Sequence, residues 1–197
     1  MMMFSACSQA PEKAAETKAP EPPPEPVTGK AVFYQMYAAA RAWSSDLQPL
    51  RMNSIHLPQV KAAPGKAAAW QVMFVSAQKH GARSYSYSVV EAEGNLHKGV
   101  FAGLEEGWSG PRGVVKPFDV QALKIDSDAA YETAMKKGKK AEEYSKAHPE
   151  LNISFLLEQN SKFPDLTWRV IWGESVGTSN YSVFVDATTG EYLETMR

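Results

Sequence analysis

The chain has 197 residues, of which 44% are hydrophobic and 22% charged, and its formal net charge at pH 7 is −1. That length allows one large or two small domains of ordinary globular composition. A net charge near zero gives no general attraction to nucleic acid or to acidic lipids. No apolar run reaches the length of about 18 residues that a transmembrane helix requires, so no such helix is predicted.

The first 27 residues hold the only cysteine, Cys7, and a proline-rich segment. Residues 8–27 read SQAPEKAAETKAPEPPPEPV, with four Glu, two Lys and little to bury. Such a composition cannot offset the entropy of ordering, so it predicts a disordered, extended linker before a folded part that starts near residue 28. With one cysteine, no intramolecular disulfide can form.

The sequence FSAC, which ends at Cys7, resembles a bacterial lipobox, in which an apolar and two small residues precede the cysteine that receives lipid. The resemblance implies a lipid anchor on Cys7 and a location on the bacterial cell envelope, facing the periplasm or the exterior. Only six residues precede Cys7, so we expect that the start is truncated or set too late and that a signal peptide belongs before it. The alternative is a free cysteine in a disordered cytosolic tail.

Residues 28–120 read as a helix followed by strands. TGKAVFYQMYAAARAW predicts a helix with Thr28 as its N-cap. Its apolar face is formed by Val32, Met36, Ala39 and Trp43. After the apolar run SIHL, AWQVMFVSA and SYSYSVV alternate as strands do. EAEG closes a turn at Gly94, where glycine permits a left-handed conformation, and NLHKGVF returns as a strand.

Residues 121–197 repeat this order of elements. DSDAAYETAMKKGKKAEEYSK predicts one long helix capped by Asp126 or Ser127, and NISFLLE is a short apolar run. LTWRVIW alternates, with a buried face formed by Trp168, Val170 and Trp172. In YSVFVDATTGEYLETM, Asp186 can accept backbone N–H bonds across a turn that Gly190 closes.

The spacing of these elements indicates an internal repeat. The helix start and the strand tryptophan are 42 residues apart in the first half and 41 in the second, and that tryptophan and the closing glycine are 24 and 22 apart. Aligning Gly94 with Gly190 pairs Tyr85 with Tyr181. We therefore predict an α+β fold of tandem helix–strand–strand–strand units, residues 28–120 and 121–197, each a small antiparallel sheet covered by a helix.

The second unit resembles the PepSY domain in KIDSDAAYETAMKKG, TWRVIW and YSVFVDATTGEYL, and the first looks like a degenerate copy that keeps Glu91 and Gly94. PepSY-like domains occur in secreted or envelope proteins and in protease propeptides. The resemblance implies a non-catalytic binding or inhibitory module, for which peptidase regulation is the commonly proposed role. It supplies no active-site motif.

No residue pattern indicates catalysis, a metal or a cofactor. The histidines lack metal-ligand spacing and are expected at the surface or in turns; they are His56, His80, His97 and His148. SAQK, which begins at Ser76, fits S-x-x-K but lacks the partner motifs and the helix that such enzymes use. KKGKK is followed by two glutamates, and pairing of Lys139 with Glu143 predicts a solvated helix face.

The loop GLEEGWSGPRG, residues 103–113, is the most unusual segment. Trp108 and Arg112 are candidate binding residues there, because an aromatic and an arginine side chain suit a partner surface. Alternatively, Trp108 covers the core between the units.

We predict a non-catalytic, lipid-anchored envelope module that holds a protein or peptide partner at a sheet edge. Inhibition or regulation of a peptidase is one form of this predicted binding function. The alternative is a structural accessory subunit of a larger envelope assembly. An enzyme would require polar residues that only the fold brings together.

Overall fold

A computed structural model describes residues 22–111 and 113–197. The helices in these residues are α1 (Gly29–Ala40), α2 (Ser127–Lys137) and α3 (Ala141–Ala147), with a short 3-10 turn at Val120–Ala122. The strands are β1 (Gln48–Ile55), β2 (Ala69–Ser76), β3 (Gly81–Ser88), β4 (Gly99–Gly107), β5 (Val115–Lys116), β6 (Ile153–Asn160), β7 (Thr167–Trp172), β8 (Tyr181–Asp186) and β9 (Tyr192–Met196). None of these helices has the length and apolar character needed to span a membrane.

All nine strands of the described residues join in one antiparallel sheet, in the order β4-β3-β2-β1-β6-β7-β8-β9, with β5 beside β6. The predicted α+β class is confirmed. The two predicted sheets are continuous, because β1 and β6 pair at the centre, and each half contributes four strands to the path rather than three. Turns and loops join successive strands within each half, as antiparallel pairing allows.

The two halves are related by a pseudo-two-fold axis through the centre of the sheet. Trp70 Nε1 donates to the carbonyl of Val27 at 3.0 Å, and Trp168 Nε1 donates to the carbonyl of Ile125 at 2.9 Å, with a sequence separation of 43 residues in both cases. The two indole rings meet edge to face with their centroids 6.2 Å apart. The tryptophans therefore occupy equivalent positions in the predicted repeat.

The register of the sheet gives the position of the axis. Met52 and Phe155 are equivalent, because each faces the valine that lies two residues after its half's tryptophan. The residues that follow them, Asn53 and Leu156, face one another across the junction. The axis therefore passes between Asn53 and Leu156.

The same register corrects the sequence alignment of the halves. Val72 faces Tyr85 and Val170 faces Val183, so Tyr85 corresponds to Val183 and not to Tyr181. The number of residues along the chain from the tryptophan to its partner on the next strand is the same in both halves. The two additional residues of the first half therefore lie in the turn that follows β3.

The core lies between the helices and one face of the sheet. Its largest fully buried side chains include Trp70, Trp168, Trp172, Phe74 and Phe155. The buried face predicted for β7 is confirmed, since Trp168, Val170 and Trp172 are all buried, and β2 buries Trp70, Val72 and Phe74 in the same way. A Cβ on Gly29 would lie 2.9 Å from Trp168 Cη2, which accounts for glycine at the start of α1.

The helices differ from prediction at their ends. In α1, Ala40 is buried while Ala39 is exposed. The predicted long second helix is broken into α2 and α3 at Gly138, where a Cβ would lie 2.7 Å from Val183 Cγ2. At Gly138 the chain approaches β8 too closely for a side chain. The ion pair predicted between Lys139 and Glu143 is replaced by one between Lys140 and Glu143, at 3.8 Å.

The N-termini of α1 and α2 share one cap. Asp126 Oδ1 accepts from Ser127 N at 2.6 Å and from Lys30 N at 2.7 Å, and Ser127 Oγ accepts from Gly29 N at 2.9 Å. The Thr28 side chain, predicted to cap α1, forms no cap hydrogen bond. Two of the free N–H groups at the start of α1 are therefore satisfied by the other half of the chain.

β1 and β6 diverge on both sides of the axis and leave two forks in the sheet. In the filled fork, β5 pairs with Gln159 and Asn160 of β6. Phe118, two residues after β5, donates its backbone N–H to the carbonyl of Pro49 at 2.9 Å, and its side chain is buried. The connection between the halves thus closes this fork.

Candidate functional site

The sheet ends at β4, an edge strand of nine residues. β4 pairs with β3 on one side, and no other strand of the described residues pairs with its outer side. Soluble proteins usually protect such an edge by shortness, proline, charge or a bulge. Residues 99–104 contain neither proline nor charge, and the side chains of Val100 and Phe101 are 37% and 36% exposed.

The hydrogen-bond alternation identifies which backbone groups face outward. Val89 N–H donates to Ala68 O, so odd-numbered residues of β3 bond to β2 and even-numbered residues bond to β4. Phe101 faces Ser86 and therefore bonds to β3. Its neighbours Val100 and Ala102 direct their N–H and C=O groups away from the sheet.

A bulge lies in the middle of β4. Arg83 faces Glu105 and Tyr85 faces Ala102, so Gly103 and Leu104 together lie opposite one residue of β3, and the strand holds one additional residue. Arg83 Nε donates to Gly103 O at 2.8 Å, and Trp43 Nε1 donates to Glu105 Oε2 at 2.7 Å. These contacts anchor the bulge, while the Leu104 side chain is 89% exposed.

The predicted binding residue Trp108 lies directly after β4. Its backbone N–H donates to His80 O at 2.7 Å, its side chain is half-buried, and it lines a groove with Leu50 and Arg51. Residues 103–107, predicted as part of a loop, belong to β4. The other two predicted site residues, Arg112 and Cys7, lie outside the described residues.

Ser76, the first residue of SAQK, belongs to a hydrogen-bonded turn. Ser44 Oγ and Ser76 Oγ donate to Asp46 Oδ1 at 2.6 and 2.5 Å, and Gln78 N–H donates to Oδ2 at 2.9 Å. These hydrogen bonds, that of Ser44 first, lower the pKa of Asp46 from 3.8 to about 2. Ser76 Oγ also accepts from Lys79 N–H at 3.1 Å. The group closes the β2–β3 turn and brings no histidine to the Ser76 hydroxyl.

The histidines lie where the sequence predicts, at the surface and in turns. His56, His80 and His97 are exposed, and His148 follows the last residue of α3. His97 Nδ1 lies 3.1 Å from a Glu91 carboxylate oxygen. Across residues 22–111 and 113–197, no three His, Cys, Asp or Glu side chains are grouped so that they could hold a metal ion.

Comparisons of the chain with protein-family models, with curated proteins and with solved structures found no match. The resemblance to the PepSY domain therefore rests on the quoted sequence segments alone and stays a prediction.

Proposed function

We propose that this chain is a non-catalytic binding module of the bacterial cell envelope, which holds a protein or peptide partner by adding the partner's extended strand to β4. The observation that carries the proposal is the outward backbone of Val100 and Ala102 on a nine-residue edge strand. Main-chain hydrogen bonds supply affinity in this mode of recognition, and flanking side chains supply specificity.

The side chains beside this edge favour an apolar partner strand at one end and a basic residue at the other. Val100, Phe101 and Leu104 are exposed along the first part of β4. Glu105 and Glu106 follow and are also exposed. Charge complementarity at such a rim selects partners and speeds their encounter.

Membrane attachment and peptidase regulation belong to the same proposal. A lipid on Cys7, followed by the proline-rich linker, would hold the module beside the membrane with β4 accessible to envelope proteins. A peptidase is a suitable partner, because its substrate cleft is built to bind an extended chain.

A photo-crosslinking amino acid at position 104 in cells tests the role of the β4 edge. We expect a defined crosslinked partner from this position and none from position 142, an exposed site on α3. Ala102→Pro removes an outward N–H and should abolish the adduct, while Ala102→Val keeps the N–H and should preserve it. Equal adducts from Ala102→Pro and Ala102→Val would contradict strand addition.

The second candidate is a structural accessory subunit, which is favoured by the other end of the sheet. β9 is also an edge, and its Leu193 and Met196 side chains are 39% and 36% exposed. Two open edges permit neighbours on both sides. Sedimentation of the purified chain distinguishes the candidates: a stable monomer disfavours a self-assembling scaffold and is compatible with a binding module.

A further inference from the structure

The second fork between β1 and β6 forms a cleft. It has a volume of about 270 Å³, and its lining includes Ser54, His56, Tyr131, Ile153 and Phe155. The ladder between β1 and β6 stops at Asn53–Leu156, and Ser54 Oγ then accepts from Phe155 N–H at 2.8 Å in place of a backbone carbonyl. Beyond that bond the two strands separate.

The filled fork shows which contacts hold a strand in such a place. β5 pairs with Gln159 of β6, and the following chain donates a backbone N–H to Pro49 of β1. The Phe118 side chain then packs on Phe33 of α1, with ring centroids 6.2 Å apart. Three contacts therefore define the site: one on each diverging strand and one on the helix above.

The pseudo-two-fold axis gives the counterpart of each contact on a strand. Ile55 faces the residue directly before Trp70, and Glu158 faces the residue directly before Trp168, so Ile55 and Glu158 are equivalent. The residues that follow them along the chain, His56 and Gln159, are therefore equivalent as well. Pro49 faces Phe74 and Ile153 faces Trp172, each four residues after its tryptophan, so Pro49 is equivalent to Ile153.

The helix contact follows the same rule. Phe33 lies six residues after Val27 and Tyr131 lies six residues after Ile125, the two carbonyl partners of the tryptophans. Tyr131 is therefore the counterpart of Phe33. All three counterparts, His56, Ile153 and Tyr131, line the second cleft, and no strand of the described residues occupies it.

We propose that this cleft binds an extended peptide of a partner, antiparallel to β1, with an aromatic or large apolar side chain held by Tyr131. The orientation follows from β5, which runs antiparallel to β6 in the filled fork. The even-numbered residues of β1 bond toward β6, so the N–H of His56 faces the incoming strand. The site is separate from the β4 edge and does not depend on the function proposed there.

The charges around the cleft favour a peptide that carries a carboxylate. Lys61 and Lys66 line the cleft together with His56, and no Asp or Glu does. Both lysines are exposed, and neither forms an ion pair with a described residue. The segment in the filled fork, VVKPFD, combines the expected features: apolar residues, an aromatic residue and an acid.

Titration of the ¹⁵N-labelled full chain with the free synthetic peptide VVKPFD tests the proposal. We expect amide shifts at His56 and Ile153, and a dissociation constant at least about tenfold higher when alanine replaces the peptide's phenylalanine. No binding would overturn the proposal. Shifts confined to β4, or shifts at Gln159 that show displacement of β5, would also overturn it.

Matched variants separate backbone pairing from other effects. His56→Pro removes the N–H and should abolish binding, while His56→Ala keeps it and should bind as the unaltered chain does. If His56→Pro does not fold, Lys61→Glu combined with Lys66→Glu provides the second test, because both positions are exposed; it should weaken binding at least about tenfold. Unchanged binding would overturn the proposed ligand.

Two further experiments separate binding in the cleft from binding at the β4 edge, and a partner peptide from the chain's own N-terminal segment. Ala102→Pro, which blocks the β4 edge, should leave binding in the cleft intact, so that failure of one site is distinguishable from failure of the other. If the peptide binds only after residues 1–21 are deleted, the occupant is the chain's own N-terminal segment, and the proposal of a partner is overturned.

Discussion

Asp46 joins three parts of the first half through its carboxylate. It accepts from the hydroxyls of Ser44 and Ser76 and from the backbone of Gln78, and thereby fixes the start of β1 against the β2–β3 turn. The ionised form accepts all these bonds best, which is why the pKa of Asp46 lies at about 2.

Replacement of Asp46 by asparagine should therefore destabilise the protein in a pH-dependent manner. The pKa is lower in the folded than in the unfolded chain, so the stabilisation is complete above about pH 4 and is lost as the pH falls toward 2. Urea unfolding at several pH values measures it: the difference between the unaltered chain and Asp46→Asn should be largest at pH 7 and should shrink below about pH 4.

Glu93→Gln, at an exposed position in the turn after β3, is the control and should show a much smaller difference. A difference for Asp46→Asn that is the same at pH 7 and pH 2.5 would show that the carboxylate charge is not responsible.

At the scale of single residues, local chemistry made much of the structure predictable. Asp186 Oδ1 accepts from Thr188 N–H and Thr189 N–H at 2.7 and 2.8 Å, and Gly190 has a φ of +80°, both as predicted. Ala39 was wrongly placed in the core because alanine marks a helical face only weakly, and the sheet buries Ala40 instead.

The helix ends show where prediction from local sequence fails. Thr28 has the right residue type and position for an N-cap, yet Asp126 and Ser127 perform that role for α1. A cap that comes from about half the chain away leaves no local pattern. The second half of β4, residues 103–107, was likewise hidden by its glycines, since its strand character depends on pairing with β3.

Asp126→Ala should cost more stability than an ordinary cap. Its carboxylate accepts from the first turns of both α1 and α2, and the loss of one N-cap typically costs about 1–2 kcal/mol. We therefore expect the free energy of unfolding to fall by about 2 kcal/mol, as measured by urea denaturation.

Thr28→Ala is the matched control, because Thr28 occupies an N-cap position without a cap hydrogen bond. It should change the free energy of unfolding by less than about 0.5 kcal/mol. Equal effects of the two substitutions would mean that the shared cap contributes little.

The continuous sheet and the shared core imply that both halves unfold together. Met52 of β1 pairs with Leu157 of β6, and both side chains are buried. Met52→Ala should lower the free energy of unfolding by about 2–5 kcal/mol. Tryptophan fluorescence and far-UV circular dichroism should report one coincident transition, before and after this substitution.

Leu193→Ala, at an exposed position of β9, is the control and should have little effect. Two separated transitions would show instead that the halves are independent domains.

The repeat was predictable from the order and spacing of elements, but the merging of the sheets was not. The sequence offered only the short apolar runs SIHL and NISFLLE in these places, and β1 and β6 are joined by three ladder pairs and the bond from Phe155 N–H to Ser54 Oγ. The forks follow from that short junction, so the cleft lined by His56 and Ile153 has no signature in the sequence. Only the pseudo-two-fold relation, visible in the folded chain, connects it with β5.

Asn53 and Leu156 face each other on the pseudo-two-fold axis. In a dimer of identical chains, the residue on the axis would meet its own copy, and every mutation would be introduced twice. In a single chain this constraint is absent, because the two halves are encoded separately and each can carry its own residues. One fork holds β5 from the connecting segment, and the other holds no strand of the described residues.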